Sequence, residues 1–421
     1  MQQSQAYFDE NVGIKAPDAR TLIVHLENPC SYFLELAGFI TFVPMHRPSI
    51  ASQMVLDQRS GLWTLDPLWT RPDRVIGNGP YVLERRRFKR DILLTANPQY
   101  WNPSAMGNQS ILMQIVGDPG AAMLAYRRGE VDWLPDIPTA SPLAADLMRQ
   151  QREGLRKDVH LTAGAGTYFY NFNCAPTFLD GSKNPLHDAR VRQALSLAID
   201  RQTLVERVTR GFQPIARTFV PPGALPGYEP PVDALLATTD LADNLKRARK
   251  LLDEAGYPNG RGLTGLSILY NTEGAHAAIA QQVKNHWEQA LGVSVNLMGV
   301  EKSQFGQRLR SHDFAISRAA WFGDYRDATT FLDKFLSDNG NNDARYHNPR
   351  FDELMQQAAR ELDTNKRLRI LEQAERLMLS EQPIAPIYHY TIMSVHDPEK
   401  VSGITLNAWN YRRLEWVKVN R

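Results

Sequence analysis

The stretch LSILYNTEGAHAAIAQQVKNHWEQALGVSVNL, residues 266–297, decides the fold class. Leu266 to Tyr270 is a short apolar run with the look of a buried strand. Ile279, Val283, Trp287, Ala290 and Leu291 then fall on one face of a helix, which Gly292 stops before the second strand, Val293 to Leu297. A strand, a helix and a strand in succession mark an α/β lobe.

The pattern extends outward from there. Leu241 to Ala255 reads as a helix ended by Gly256, and Asp188 caps another whose apolar positions are Val191, Ala194, Leu195, Ala198 and Ile199. Helices are predicted over 351–362 and 366–380, after which Pro383 and Pro386 bracket a return to extended chain through Tyr388-His389-Tyr390. Upstream, Thr21 to Leu26, Tyr81 to Leu83 and Ile92 to Ala96 read as short strands. Ala121 to Arg128 reads as a helix that Gly129 ends before a short strand, Val131 to Trp133. The tail closes on the strand-like Trp416 to Val419. This texture predicts a β-rich lobe 1 over 1–175, an inserted α/β lobe 2 over 176–394, and a return to lobe 1 over 395–421.

At 421 residues the chain can bury a large core, and its 43% hydrophobic and 22% charged content excludes a disordered chain. A net charge of +2 gives no field that would recruit nucleic acid or an anionic membrane. Cys30 and Cys174 have no metal-ligand spacing, no HExxH or GxSxG is present, and no apolar run reaches the length of a membrane span. The sequence therefore predicts no catalysis, metal or cofactor. Met1 to Gln5 lacks the character of a secretory signal. Gly260-Arg261-Gly262-Leu263-Thr264-Gly265 matches GxGxxG, but a helix precedes it and a strand follows, the reverse of a dinucleotide site, so it reads as a connecting turn.

Three places carry candidate site chemistry. Trp321-Phe322-Gly323-Asp324-Tyr325 sets one carboxylate among three rings, where it needs a compensating cation. Arg318 or Arg326 could supply a structural partner, and a ligand's ammonium group would serve equally. His276 stands where a strand gives way to the first turn of a helix, a place where donors converge on an anion. In Thr167-Tyr168-Phe169-Tyr170-Asn171-Phe172, strand alternation predicts Tyr168 and Tyr170 on one face and Phe169 on the other.

These segments occur in an ordered series with Gly77-Asn78-Gly79-Pro80-Tyr81, Asn97-Pro98-Gln99-Tyr100-Trp101, Arg128-Gly129-Glu130-Val131-Asp132, Asp188 to Ala194 and Glu254 to Gly260. From about Gly13 to the C-terminus the series closely resembles the oligopeptide-binding proteins of bacterial ABC importers, the family 5 extracellular solute-binding proteins. The resemblance implies an α/β, two-lobed periplasmic-binding-protein-like fold (class II type). It implies a periplasmic or cell-envelope monomer that closes on an oligopeptide and delivers it to ABC permease subunits in the membrane. Asp324 would pair with the peptide's α-ammonium group. Arg318, His276 and Arg210 would serve its C-terminal carboxylate, Tyr168, Tyr170 and Asn171 would lie on a pocket-lining strand, and Trp321 with Phe322 would form the cleft wall.

The chain also departs from the resemblance. A cysteine pair of some relatives is replaced by Gly166 and Phe322, and Lys302 stands where a tryptophan is usual. Against the family pattern the sequence opens late, which predicts a chain without the first main-lobe strands and the small extra domain. Rival readings are a receptor of the same fold for a dipeptide, nickel complex or opine, a peptidase or chaperone, and a remnant that does not bind.

Overall fold

The computed structural model describes residues 10–232 and 235–420. Its centre is a six-stranded sheet in the order β11-β10-β12-β9-β13-β8. The strands are β8 (Trp133–Leu134), β9 (Val159–Phe172), β10 (Ser267–Asn271), β11 (Asn296–Val300), β12 (Ile316–Phe322) and β13 (Ile384–His396). Strands β1 to β7 precede them in short separate sheets: Ile14–Lys15 with Ile23–Val24, Met54–Leu56 with Trp63–Leu65, and Tyr81–Arg87, Asp91–Ala96 and Ser110–Gln114 together. The predicted strand, helix and strand are present, since β10 and β11 are parallel and joined by the helix His276–Leu291. Gly292 ends that helix at φ 68°.

Val293 and Val295 are buried, but strand pairing starts only at Asn296, opposite Ser267. The predicted strand therefore slides three residues downstream. The amide of Val293 still bonds the Trp287 carbonyl, so the helix ending consumes residues that look strand-like.

Both faces of the sheet are covered, and alternation along β9 divides the core. Tyr168, Tyr170 and Phe172 join Leu195, Ile268, Val283 and Trp287 on one side. Phe169 joins Phe219, Phe331, Leu354 and Met378 on the other. The second layer includes the helices Pro349–Arg360 and Thr364–Glu381, close to the predicted spans. Asp188 caps Ala189–Leu197 by accepting from the Arg190 amide. Gly260, Gly262 and Gly265 all have positive φ in a turn before β10, and a Cβ on Gly260 would lie 2.7 Å from the Gly292 backbone. The glycine motif is a turn.

Strands β9 and β13 are the longest and run side by side, with register shifts between Pro386 and Tyr388 and between His389 and Thr391. Their far ends, near Val159 and Val395, enter a separate cluster with Leu134, Leu147 and Met123. The tail returns to the first part of the chain, where the Gly107 amide donates to the Glu415 carbonyl and Asn108 to that of Val417.

The first strands differ from expectation. Thr21 to Leu26 is paired only at Ile23 and Val24, and Leu22, Ile23, Val24 and Leu26 are all exposed. Val131 to Trp133 pairs only from Trp133, and at the C-terminal end Trp416 lies in a short 3-10 turn before the strand Lys418–Val419. Cys30 and Cys174 are free thiols.

Candidate functional site

Strand β12 carries the candidate residues in sequence and β9 presents its partners in register: Arg318 opposite Tyr170, Trp321 opposite Thr167, and Phe322 opposite Gly166. Arg318 and Phe322, four residues apart, lie on one face of β12, and Trp321 lies on the other.

At the Arg318 end the guanidinium donates through Nε and Nη2 to Asn271 Oδ1, at 2.8 and 2.6 Å, and lies 5.2 Å from the centre of the Phe305 ring. Among the described residues no carboxylate forms an ion pair with it. His276 Nδ1 lies 3.1 Å from the Tyr168 hydroxyl, with the two rings stacked at 5.6 Å. Burial, reinforced by the charge of Arg318, lowers the His276 pKa to about 4, so the imidazole is neutral at physiological pH. The result is one uncompensated cation beside a neutral imidazole, a pair suited to a carboxylate.

Four tyrosines back this end. Tyr168 stacks on Tyr388 at 4.8 Å and meets Tyr170 and Tyr390 at its edges. Tyr168, Tyr170 and Asn171 are fully buried, so in this structure they lie behind the candidate surface rather than on a pocket wall. The sheet covered on both faces explains this, because β9 is an interior strand. The hydroxyl of Tyr170 and Oδ1 of Asn171 are buried without a partner among the described residues.

The Asp324 end is built by a tight loop. Gly323 donates its amide to the Ala165 carbonyl, and Asp324 donates its own to Thr330 Oγ1 at 2.8 Å. The Asp324 carbonyl accepts from the Tyr411 hydroxyl at 3.2 Å. A buried ion pair between Asp327 and Arg367, at 2.5 and 2.8 Å, anchors the next turn. The backbone is thus fixed while the carboxylate stays free. Neither Arg318 nor Arg326 pairs with it, so the structural salt bridge that the sequence allowed does not form among the described residues. Partial burial alone raises its pKa above the ordinary carboxylate range.

Phe322 is half exposed; its ring tilts against Tyr390 at 4.6 Å and covers Gly166, where any Cβ would overlap it. Trp321 instead packs toward the helical layer, its Nε1 donating to the Thr330 carbonyl at 2.6 Å. It braces the Asp324 loop more than it forms a wall. Arg210 stands apart at φ 55°, exposed, donating to the Arg207 carbonyl at 3.4 Å. Lys302 is a surface cation 4.0 Å from Glu273.

Asn271, Tyr390 and Tyr411 were not singled out by sequence. Asn271 ends a readable strand, but Tyr390 and Tyr411 reach the site only through long-range packing.

A sequence profile described as bacterial extracellular solute-binding proteins, family 5, middle region, matches residues 1–343. The chain belongs to this family. Among its relatives, the oligopeptide-binding protein OppA of Bacillus subtilis is 32% identical over 94% of this chain and 69% of its own length. The periplasmic murein peptide-binding protein MppA of Escherichia coli is 30% identical over 91% of this chain and 66% of its own length. The chain thus spans about two thirds of the curated relatives it matches. The solved structure of the Escherichia coli murein tripeptide-binding protein MppA superposes with a TM-score of 0.80 at 28% identity, covering 99% of this chain and 77% of that one. The fold is the two-lobed α/β fold of this family. No helix among the described residues is long and apolar enough to cross a membrane.

Proposed function

We propose that the chain is a receptor that captures oligopeptides in a cleft between its lobes and hands them to an ABC-type permease, without catalysis. The observation that supports this best is the separation of charges along β12. A free carboxylate, Asp324, stands beyond one end, and an unneutralised guanidinium, Arg318, with the neutral His276, stands at the other. From Arg318 to Phe322 the strand covers about 13 Å, and the turn to Asp324 adds to it. An extended peptide of about four residues has an ammonium and a carboxylate at matching separation. Its main chain would meet strand-like backbone, leaving side chains in looser pockets.

The lobe division at 1–175, 176–394 and 395–421 belongs to this reading, with β9 and β13 as the connection about which the lobes move. The register shifts flanking His389 support a bending point there. Arg210 would approach the ligand only on closure. The names of the relatives, oligopeptide-binding and murein peptide-binding, agree with a peptide ligand.

Mass spectrometry of ligand released from the purified protein tests the class of solute. Peptides of mixed sequence are expected; a single opine or a nickel complex would replace this reading with a receptor of the same fold for another solute.

A further inference from the structure

We propose that a second site, for a small organic dianion, lies at the edge of β13, lined from the other side of that strand than the tyrosine cluster. Tyr388 and Tyr390 pack toward Tyr168, whereas His389 contacts Thr167 and lines a separate cavity of about 500 Å³. That volume suits a small-molecule ligand. Arg318, His276 and Asp324 do not line it.

Among the described residues the lining sets two guanidiniums against one carboxylate. Arg152, the last residue of the helix Pro142–Arg152, reaches across to lie 4.4 Å over the Phe212 ring. Arg217 enters from the adjoining segment, with a 3.5 Å bond to the Ala237 carbonyl. Neither guanidinium forms an ion pair with a carboxylate among the described residues. Gln213 is only 2% exposed, and its amide Nε2 has no acceptor among the described residues, although its Oε1 accepts from Thr209 at 2.7 Å. Among the described residues Glu206 is the one carboxylate of the lining, and it accepts from the Gln202 amide.

Two cations therefore face a space whose remaining wall includes Phe212, Ile215 and Pro222. An anion would pair with the two guanidiniums while its apolar body rests on that wall. Arg152 precedes β9, and the rest of the lining lies after it, so an occupant would bridge two parts of the chain.

Isothermal titration of the whole chain with isophthalate and with its neutral diamide tests the site. Isophthalate is expected to bind at least about tenfold more tightly than the diamide, and R152Q and R217Q are each expected to weaken it about tenfold. Both arginines lie at least partly at the surface, so the variants should fold, and melting curves check that they do. Trialanine should not displace isophthalate. No binding of isophthalate, equal binding of the diamide, unchanged affinity in both folded variants, or displacement by trialanine would each overturn the proposal.

Discussion

Asp324 is a carboxylate with a fixed backbone and no cation partner among the described residues. Its pKa is raised by desolvation, and the form that can pair with an ammonium group is the ionised one. Peptide affinity should therefore increase as pH rises through that raised titration, and fall again once the peptide's α-amino group deprotonates near pH ~8. Titration calorimetry across pH 4 to 9 checks this; a flat profile would remove Asp324 from the binding event. Gly166 makes a second prediction at this scale. Because the Phe322 ring occupies the space of a Cβ there, G166A should cost about 1–3 kcal/mol or eject the ring, and F322A in the same chain should restore stability. Denaturant melts of the two variants read this directly.

At the level of elements, the Asp324 loop depends on the Arg367 to Asp327 pair, whose side chains are 4% and 9% exposed. Removing the cation leaves a buried, unpaired carboxylate, so R367M should lose about 3–5 kcal/mol in chemical denaturation. The strands β9 and β13 carry a second liability. His160 stacks on His396 at 3.9 Å, and burial together with that neighbour lowers the His396 pKa to about 4. A base whose folded pKa is depressed contributes stability that is present above about pH 6.5 and lost as pH falls toward 4. The melting temperature should drop across that interval, and H396F should flatten the drop; an equal slope in the variant would assign the acid sensitivity elsewhere.

Elements with a strong period were legible in the sequence. The helix with Trp287 and the two faces of β9 follow from apolar spacing alone. The convergence of His276 with Tyr168 was only half visible, because the residues are 108 apart and meet through sheet order. Tyr390 and Tyr411 were invisible for the same reason. Tyr168, Tyr170 and Asn171 are buried because β9 is covered on both faces, which no local sequence pattern specifies. Local reading offered Asp324 two structural partners, and the direction of β12 turns Arg318 instead to Asn271.

On the scale of the whole molecule, burial is uneven. No described residue before Asp91 is buried, and Leu34, Ile40, Phe42, Leu62 and Phe88 are among the apolar side chains exposed there. The middle of the chain, by contrast, closes two cores around one sheet. The candidate binding residues sit on that well-packed half, since Asp324, Arg318 and His276 are all held by β9, β10, β12 and the helix after β10. Lobe closure over a peptide should shorten the molecule, and small-angle scattering with and without trialanine would register a smaller radius of gyration; an unchanged radius would argue against closure.

The most direct measurement compares trialanine with N-acetyl-trialanine by isothermal titration, in the natural chain and in D324N. If Asp324 anchors the peptide's ammonium group, the free peptide binds about tenfold to a hundredfold more tightly, and the advantage disappears in D324N. Equal affinity for the two peptides in the natural chain would contradict the account.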